Sequence, residues 1–254
     1  MNVSAFLRIN CLEEVPTMFS YYIQIEKQIL EETLTVRDKK VLHYRITYPK
    51  FISSAFRRTL AGINRLYQRK AHEYRQHCRT VLYAQAAEQV LYDPEGQFPL
   101  APYEAVLDFC VTYNDDCVLS LYFDRYEFTG GAHGDTTRFS DTWGLQSGKR
   151  LPVSVFIART VYYKTYLIDR VLEQMQQNVK SGQATYFEPH QNNAIEAFRT
   201  ENYYLTPKGL VTYYQQYDIA PYSSGIQSFL LPYSRTVLKP RCDGFKCCPE
   251  KVYS

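Results

Sequence analysis

Between Tyr103 and Phe128 two runs of β-branched and aromatic residues, Tyr103–Tyr113 and Val118–Phe128, stand either side of Asn114-Asp115-Asp116. Such runs suit pleated strands, and a short polar break between them predicts an antiparallel hairpin. A hairpin needs something to cover its apolar face, and the flanking sequence supplies it. Upstream, Phe56, Leu60, Ile63, Tyr67, Ala71, Tyr74, Cys78 and Leu82 recur at steps of three and four. That spacing predicts a sustained amphipathic helix, capped by Ser53 or Ser54 and broken near Tyr92 by Asp93-Pro94-Glu95-Gly96.

The remaining elements follow the same logic. Leu34 to Tyr48 alternates as one long strand or a strand pair, ended by Pro49. After the central hairpin, a glycine cluster, Gly130-Gly131-Ala132-His133-Gly134, leads to a third strand, Thr136 to Leu145, and a turn at Ser147-Gly148. A second helix is expected with Val161, Thr165, Ile168, Leu172, Met175 and Val179 on one face. A short helix at Ala194 to Arg199 precedes a hairpin with arms Tyr203–Leu205 and Leu210–Tyr214, and a last strand, Ile226–Leu231, stops at Pro232. Helices interleaved with antiparallel hairpins predict an α+β fold, a twisted antiparallel sheet packed by two main helices.

At 254 residues and 45% hydrophobic content the chain can bury a substantial single core. Its net charge of +3 is too small to point to nucleic acid or a membrane surface, and no nucleic-acid partner is expected. Tyrosine stands out, with 24 copies against 14 phenylalanines and one tryptophan. Most are expected on strands, and a minority on a partner-facing surface. No apolar stretch reaches the roughly 18 residues of a membrane span, and Met1 to Met18 lacks the apolar centre of a signal peptide. As written, the protein is expected in the cytoplasm.

Three stretches carry a resemblance. They are Tyr44-Arg45-Ile46-Thr47-Tyr48-Pro49 with Ile63-Asn64; Phe128-Thr129-Gly130-Gly131-Ala132-His133-Gly134 with Ser147-Gly148-Lys149-Arg150-Leu151; and Lys208-Gly209-Leu210 with Tyr217 to Gly225. In order and spacing, over roughly Leu34 to Tyr233, they resemble the extracytoplasmic domain pair of the anti-sigma factor RsiV and of the deacetylase PdaC. The resemblance implies a sensory or ligand-binding domain that works outside the membrane; in RsiV it captures lysozyme. The sequence given holds no membrane span, sigma-binding segment or carbohydrate-deacetylase domain, so neither an anti-sigma role nor deacetylation is carried over. The expected organisation is an N-terminal extension (1–33), a PdaC-like segment (34–101), an RsiV-like segment sharing the same core (102–238) and a cysteine-containing tail (239–254).

The candidate binding residues lie on two loops. Gly130, Gly131 and Gly134 permit positive φ or close backbone approach, and Thr129 and His133 sit among them. His133 is expected chiefly to tie the loop down, next to bind, and least to catalyse. Tyr217, Pro221 and Tyr222 form a loop without strand alternation, equally readable as rigid contact groups for a protein or glycan ligand and as an ordered crossover. A metal at His133 would have only Asp135 and His190 as companions, at no metal-type spacing, so neither metal nor cofactor is expected.

Other features favour structural readings. Gly144 to Lys149 is one residue short of a phosphate-binding loop, with Arg150 where Ser or Thr must stand, and reads as a hairpin turn. Arg57, Arg58, Arg65, Arg69, Lys70, Arg75 and Arg79 read as the solvated side of the first helix. Asp124 and Glu127 fall on opposite strand faces, which opposes a paired-carboxylate hydrolase. Cys110 and Cys117 flank the hairpin turn as a disulfide or, in a reducing compartment, two packed thiols. Cys242, Cys247 and Cys248 read as a dangling redox-sensitive tail. No catalytic set is complete, so the leading expectation is a non-catalytic binding or sensory domain, and the alternative an envelope-polysaccharide hydrolase using His133. The oligomeric state is left open.

Overall fold

A computed structural model describes residues 23–92 and 101–242. β1 (Gln24–Val36) and β2 (Lys39–Ile52) form a long antiparallel ribbon. Arg37 and Asp38 close it at positive φ, as a two-residue primed turn requires. The region around Leu34 to Tyr48 is therefore a strand pair, and Pro49 lies within β2 rather than ending it. Pairing with the next strand stops at Ile46, so beyond that residue one edge of β2 needs no backbone donor and a proline is tolerated.

The amphipathic stripe folds as α1 (Arg57–His77), a π-helical turn (Cys78–Leu82) and α2 (Tyr83–Tyr92). Leu60, Ile63, Tyr67, Ala71, Cys78, Leu82, Ala86 and Val90 are all buried. Steps of four drift around a helix of about 3.6 residues per turn, and one widened turn takes up that drift, keeping the later residues on the sheet. Neither serine caps α1: Phe56 occupies that position and makes no side-chain capping bond. The Asp93-to-Gly96 breaker lies outside the described residues.

β3 (Tyr103–Asp115) runs parallel to β2, as the intervening helices allow, and β4 (Val118–Phe128) returns antiparallel to it. Their turn sits one step later than the sequence suggests, on Asp116-Cys117, both at positive φ. β5 (Asp135–Gly144) and the short β6 (Lys149–Arg150) complete a six-stranded sheet in order β1 to β6. The expected α+β fold with a mainly antiparallel sheet holds, and two features refine it: the parallel β2–β3 pair, and a separate three-stranded sheet of β7 (Tyr203–Thr206), β8 (Gly209–Tyr214) and β9 (Gln227–Pro232).

Strand alternation gives the large sheet two working faces. Leu107, Phe109 and Phe123 pack toward α1, while Cys110 and Tyr122 meet Tyr204, Val211 and Tyr213 of the small sheet. The small sheet is covered in turn by α3 (Tyr163–Lys180) and α4 (His190–Ala197), through Val171, Met175, Ala194, Tyr214 and Phe229. The buried stripe of α3 is Leu167, Val171 and Met175, so the expected face is rotated: Thr165 and Val179 point outward.

Cys117 bonds to Cys242 across 125 residues of sequence. This replaces the expected Cys110–Cys117 neighbours and means that the chain is tied down at Cys242 rather than dangling there; Cys110 stays a buried thiol that donates to the Val111 carbonyl oxygen at 3.9 Å. A positive-φ turn aims Cys117 off the hairpin end, while Cys110 alternates into the face toward the small sheet. Cys247 and Cys248 lie outside the described residues. Among the described residues no helix is long and apolar enough to cross a membrane.

Candidate functional site

The two loops marked by sequence meet. The His133 ring stacks on Tyr222 with centroids 3.8 Å apart and planes 20° apart. The Tyr222 hydroxyl donates to the carbonyl oxygen of Gly134 at 2.7 Å, and His133 Nδ1 lies 3.3 Å from the same oxygen. Tyr217 extends the cluster, its ring 5.7 Å from Tyr222 and half exposed.

Three glycines shape the first loop for different reasons. Gly130 and Gly131 hold φ of 96° and 92°, where a side chain is strained. Gly134 is instead crowded: a Cβ there would fall 2.5 Å from the Glu127 carbonyl oxygen and 2.7 Å from the Tyr126 ring. The chain thus hugs β4 at Gly134 and throws His133 outward, where it is exposed. Thr129 is also exposed but makes no hydrogen bond among the described residues. Pro221 starts the short 3-10 turn at Tyr222–Ser224 and positions Tyr222 rather than forming part of the ring cluster.

Two residues that sequence reasoning passed over hold the second loop in place. Gln215 behaves as a surrogate strand residue toward β5: its Oε1 accepts from the Arg138 amide at 2.9 Å and its Nε2 donates to the Arg138 carbonyl at 2.6 Å. Gln216 Oε1 accepts from the Thr136 amide at 2.7 Å. The loop is pinned to β5 before it reaches Tyr217, whose φ of 65° swings the chain back. The adjacent glutamines following β8 are the only local signal, and their partners are some 80 residues away in the chain.

Behind the loops lies a buried ion pair. Arg138 donates from Nε and a terminal nitrogen to both oxygens of Asp124 at 2.7 Å, and both side chains are nearly inaccessible. The guanidinium stacks 3.8 Å from the Tyr122 ring centroid. Burial pulls the Arg138 pKa down, but the hydrogen bonds and charge of Asp124 outweigh it and hold the group protonated. Asp124 is thereby committed to structure.

On the α1 face a second polar group is built around Tyr67. Its hydroxyl donates to Asp141 at 3.0 Å and accepts from Trp143 Nε1 at 2.7 Å; Arg150 Nε closes on Asp141 at 2.7 Å. Burial raises the Asp141 pKa, partly offset by Arg150, Lys70 and the Tyr67 hydrogen bond. Burial, then the charge of Asp141, pushes the Tyr67 phenol well above its ordinary value.

The other sequence candidates disperse. His190 pairs with Glu188 at 3.1 Å, and among the described residues no group of three His, Cys, Asp or Glu side chains is arranged for a metal. Gly144 to Lys149 forms the tight turn between β5 and β6, with the Gly148 amide donating to the Gly144 carbonyl. Arg79 of the π-helical turn reaches Glu32 at 2.7 Å and Arg69 of α1 reaches Glu73 at 3.6 Å, so the basic face is partly neutralised by neighbours.

The family model of deacetylase PdaC matches residues 35–136, and that of a protein family of unknown function, DUF3298, matches residues 155–234. No curated protein matches the sequence. A DUF3298 family member from Bacteroides fragilis NCTC 9343 has a similar structure, with a TM-score of 0.63 at 19% identity, covering 84% of this chain and 92% of that one. A DUF3298 family protein from Pseudomonas aeruginosa PAO1 gives 0.53 at 18% identity, covering 83% and 91%. At such identities the likeness is one of fold.

Proposed function

We propose that this chain, with its PdaC-type and DUF3298-type regions, is a non-catalytic ligand-binding domain that presents the His133–Tyr222–Tyr217 cluster to a protein or cell-wall-derived glycan. The observation that carries this reading is the stack itself: two exposed loops, 89 residues apart at His133 and Tyr222, pool their rings into one surface. Aromatic side chains held by hydrogen bonds lose little conformational entropy on binding, which suits them as contact groups. The same geometry argues against His133 as a hydrolytic base. Its ring nitrogen meets a backbone carbonyl, and no carboxylate among the described residues orients it. The Cys117–Cys242 disulfide supports placement in an oxidising compartment, where the RsiV-like relatives work.

Lysozyme is the first protein to try as ligand. Calorimetric titration of the protein against lysozyme, with Tyr222→Ala and Tyr217→Ala alongside, is expected to show binding that weakens by about tenfold or more in each variant. Absence of binding by folded wild-type protein would remove lysozyme and turn the search to peptidoglycan fragments. Unchanged affinity in both variants would remove the aromatic cluster as the binding surface.

A further inference from the structure

Away from these loops, on the opposite face of the large sheet, α1 leaves a crevice of about 290 Å³. Its wall is largely ring surface, from Tyr48, Tyr67, Tyr74, Phe123 and Phe139. Two cations line it as well. Lys70 Nζ lies 5.7 Å from the Phe139 ring centroid, and the Arg125 guanidinium lies 5.7 Å from that of Tyr74. Lys70 makes no ion pair among the described residues, and burial together with the neighbouring Glu127 carboxylate raises the Tyr74 phenol above its ordinary pKa.

The charge balance of this crevice is unequal. Asp141, behind Tyr67, is matched by Arg150. Glu127 lies 3.7 Å from Arg125, a loose contact. Lys70 and Arg125 set against Glu127 leave one positive charge beside an apolar wall. A neutral apolar ligand would leave that charge unanswered, and a dianion would exceed it. The volume corresponds to about ten water molecules, the size of a molecule with roughly ten non-hydrogen atoms.

We propose that this crevice binds a small amphipathic monocarboxylate, its apolar body lying on the ring faces and its carboxylate between Lys70 and Arg125. Partly dehydrated cations bind carboxylates through charge-assisted hydrogen bonds, and the rings supply the apolar contact. The site is separate from the His133 cluster, so either can fail without the other.

The test is calorimetry and ligand-observed NMR on the whole protein with phenylacetate and octanoate, each compared with its neutral amide. At least one acid is expected to bind with a Kd below about 1 mM, and its amide about tenfold more weakly. Lys70→Gln or Arg125→Gln is expected to weaken the acid by a similar factor at unchanged Tm, whereas Tyr222→Ala leaves it unaffected. Neither acid binding up to about 10 mM, amides binding as tightly as acids, or full affinity in both glutamine variants would overturn the proposal.

Discussion

Each face of β5 buries an arginine–aspartate pair, and the two are solved differently. Toward the small sheet, Arg138 and Asp124 are both sealed in, meet through two 2.7 Å hydrogen bonds, and lie among tyrosine rings. Toward α1, Asp141 is buried but its partner Arg150 is 49% exposed, and Tyr67 supplies the remaining hydrogen bond. In the first pair the protein provides the whole environment of both charges. In the second, water still solvates the cation. A buried charge is tolerated only while its partner and hydrogen bonds remain, so the sealed pair should be brittle and the half-open one forgiving.

The largest break in this comparison is Arg138→Ala. It strands the Asp124 carboxylate between the two sheets and is expected to cost roughly 3–5 kcal/mol in urea unfolding. The double variant Asp124→Ala/Arg138→Ala should recover part of that loss, since no charge is left unanswered. A single variant costing under 1 kcal/mol (about the worth of an exposed pair) would erase the distinction. On the other face, Tyr67→Phe removes one donor to Asp141 and the acceptor for Trp143, with an expected loss of about 1–3 kcal/mol. The emission of Trp143, the single tryptophan, provides a local readout.

Arg150→Ala is expected to cost less, about 0–1 kcal/mol once solvent screening is counted, and the loss should shrink further in high salt. The smallest effect is in pH dependence. Asp141 has a folded pKa raised above the ordinary 3.8, chiefly by burial. As pH rises, the unfolded chain releases this proton first, so the native state binds more protons through the window. The contribution of Asp141 to stability therefore falls as pH rises from about 3.8 through its folded pKa. Asp141→Asn should flatten that slope in Tm measured across mildly acidic pH. A slope of the opposite sign in wild type, lost in the variant, would mean that Arg150 outweighs burial.

Sequence reading located most elements because strand alternation and helical steps are local. The α1 stripe from Leu60 to Leu82 and the β3–β4 hairpin were legible for that reason. The face of α3 was not: Leu167, Val171 and Met175 compete with Ile168 and Leu172 for the core, and only the position of β8 and β9 decides between them. The candidate residues His133, Tyr217 and Tyr222 were marked as two loops by their glycine and aromatic content. Their stacking was not visible, because Gln215 and Gln216 reach their β5 partners through side chains that follow no periodicity. The Cys117–Cys242 bond was hidden likewise, since spacing alone carries no information across 125 residues.

The amino-acid sequence by itself determined which residues turn inward along the strands and along α1, where the chain bends, and which loops are free of both patterns. Only the tertiary structure decided how many sheets form, which charges are sealed between them, and that two distant loops share one aromatic surface. The physical reason is range: backbone geometry and alternation act over a few residues, whereas desolvation and ring stacking depend on whichever surfaces the folded chain brings into contact.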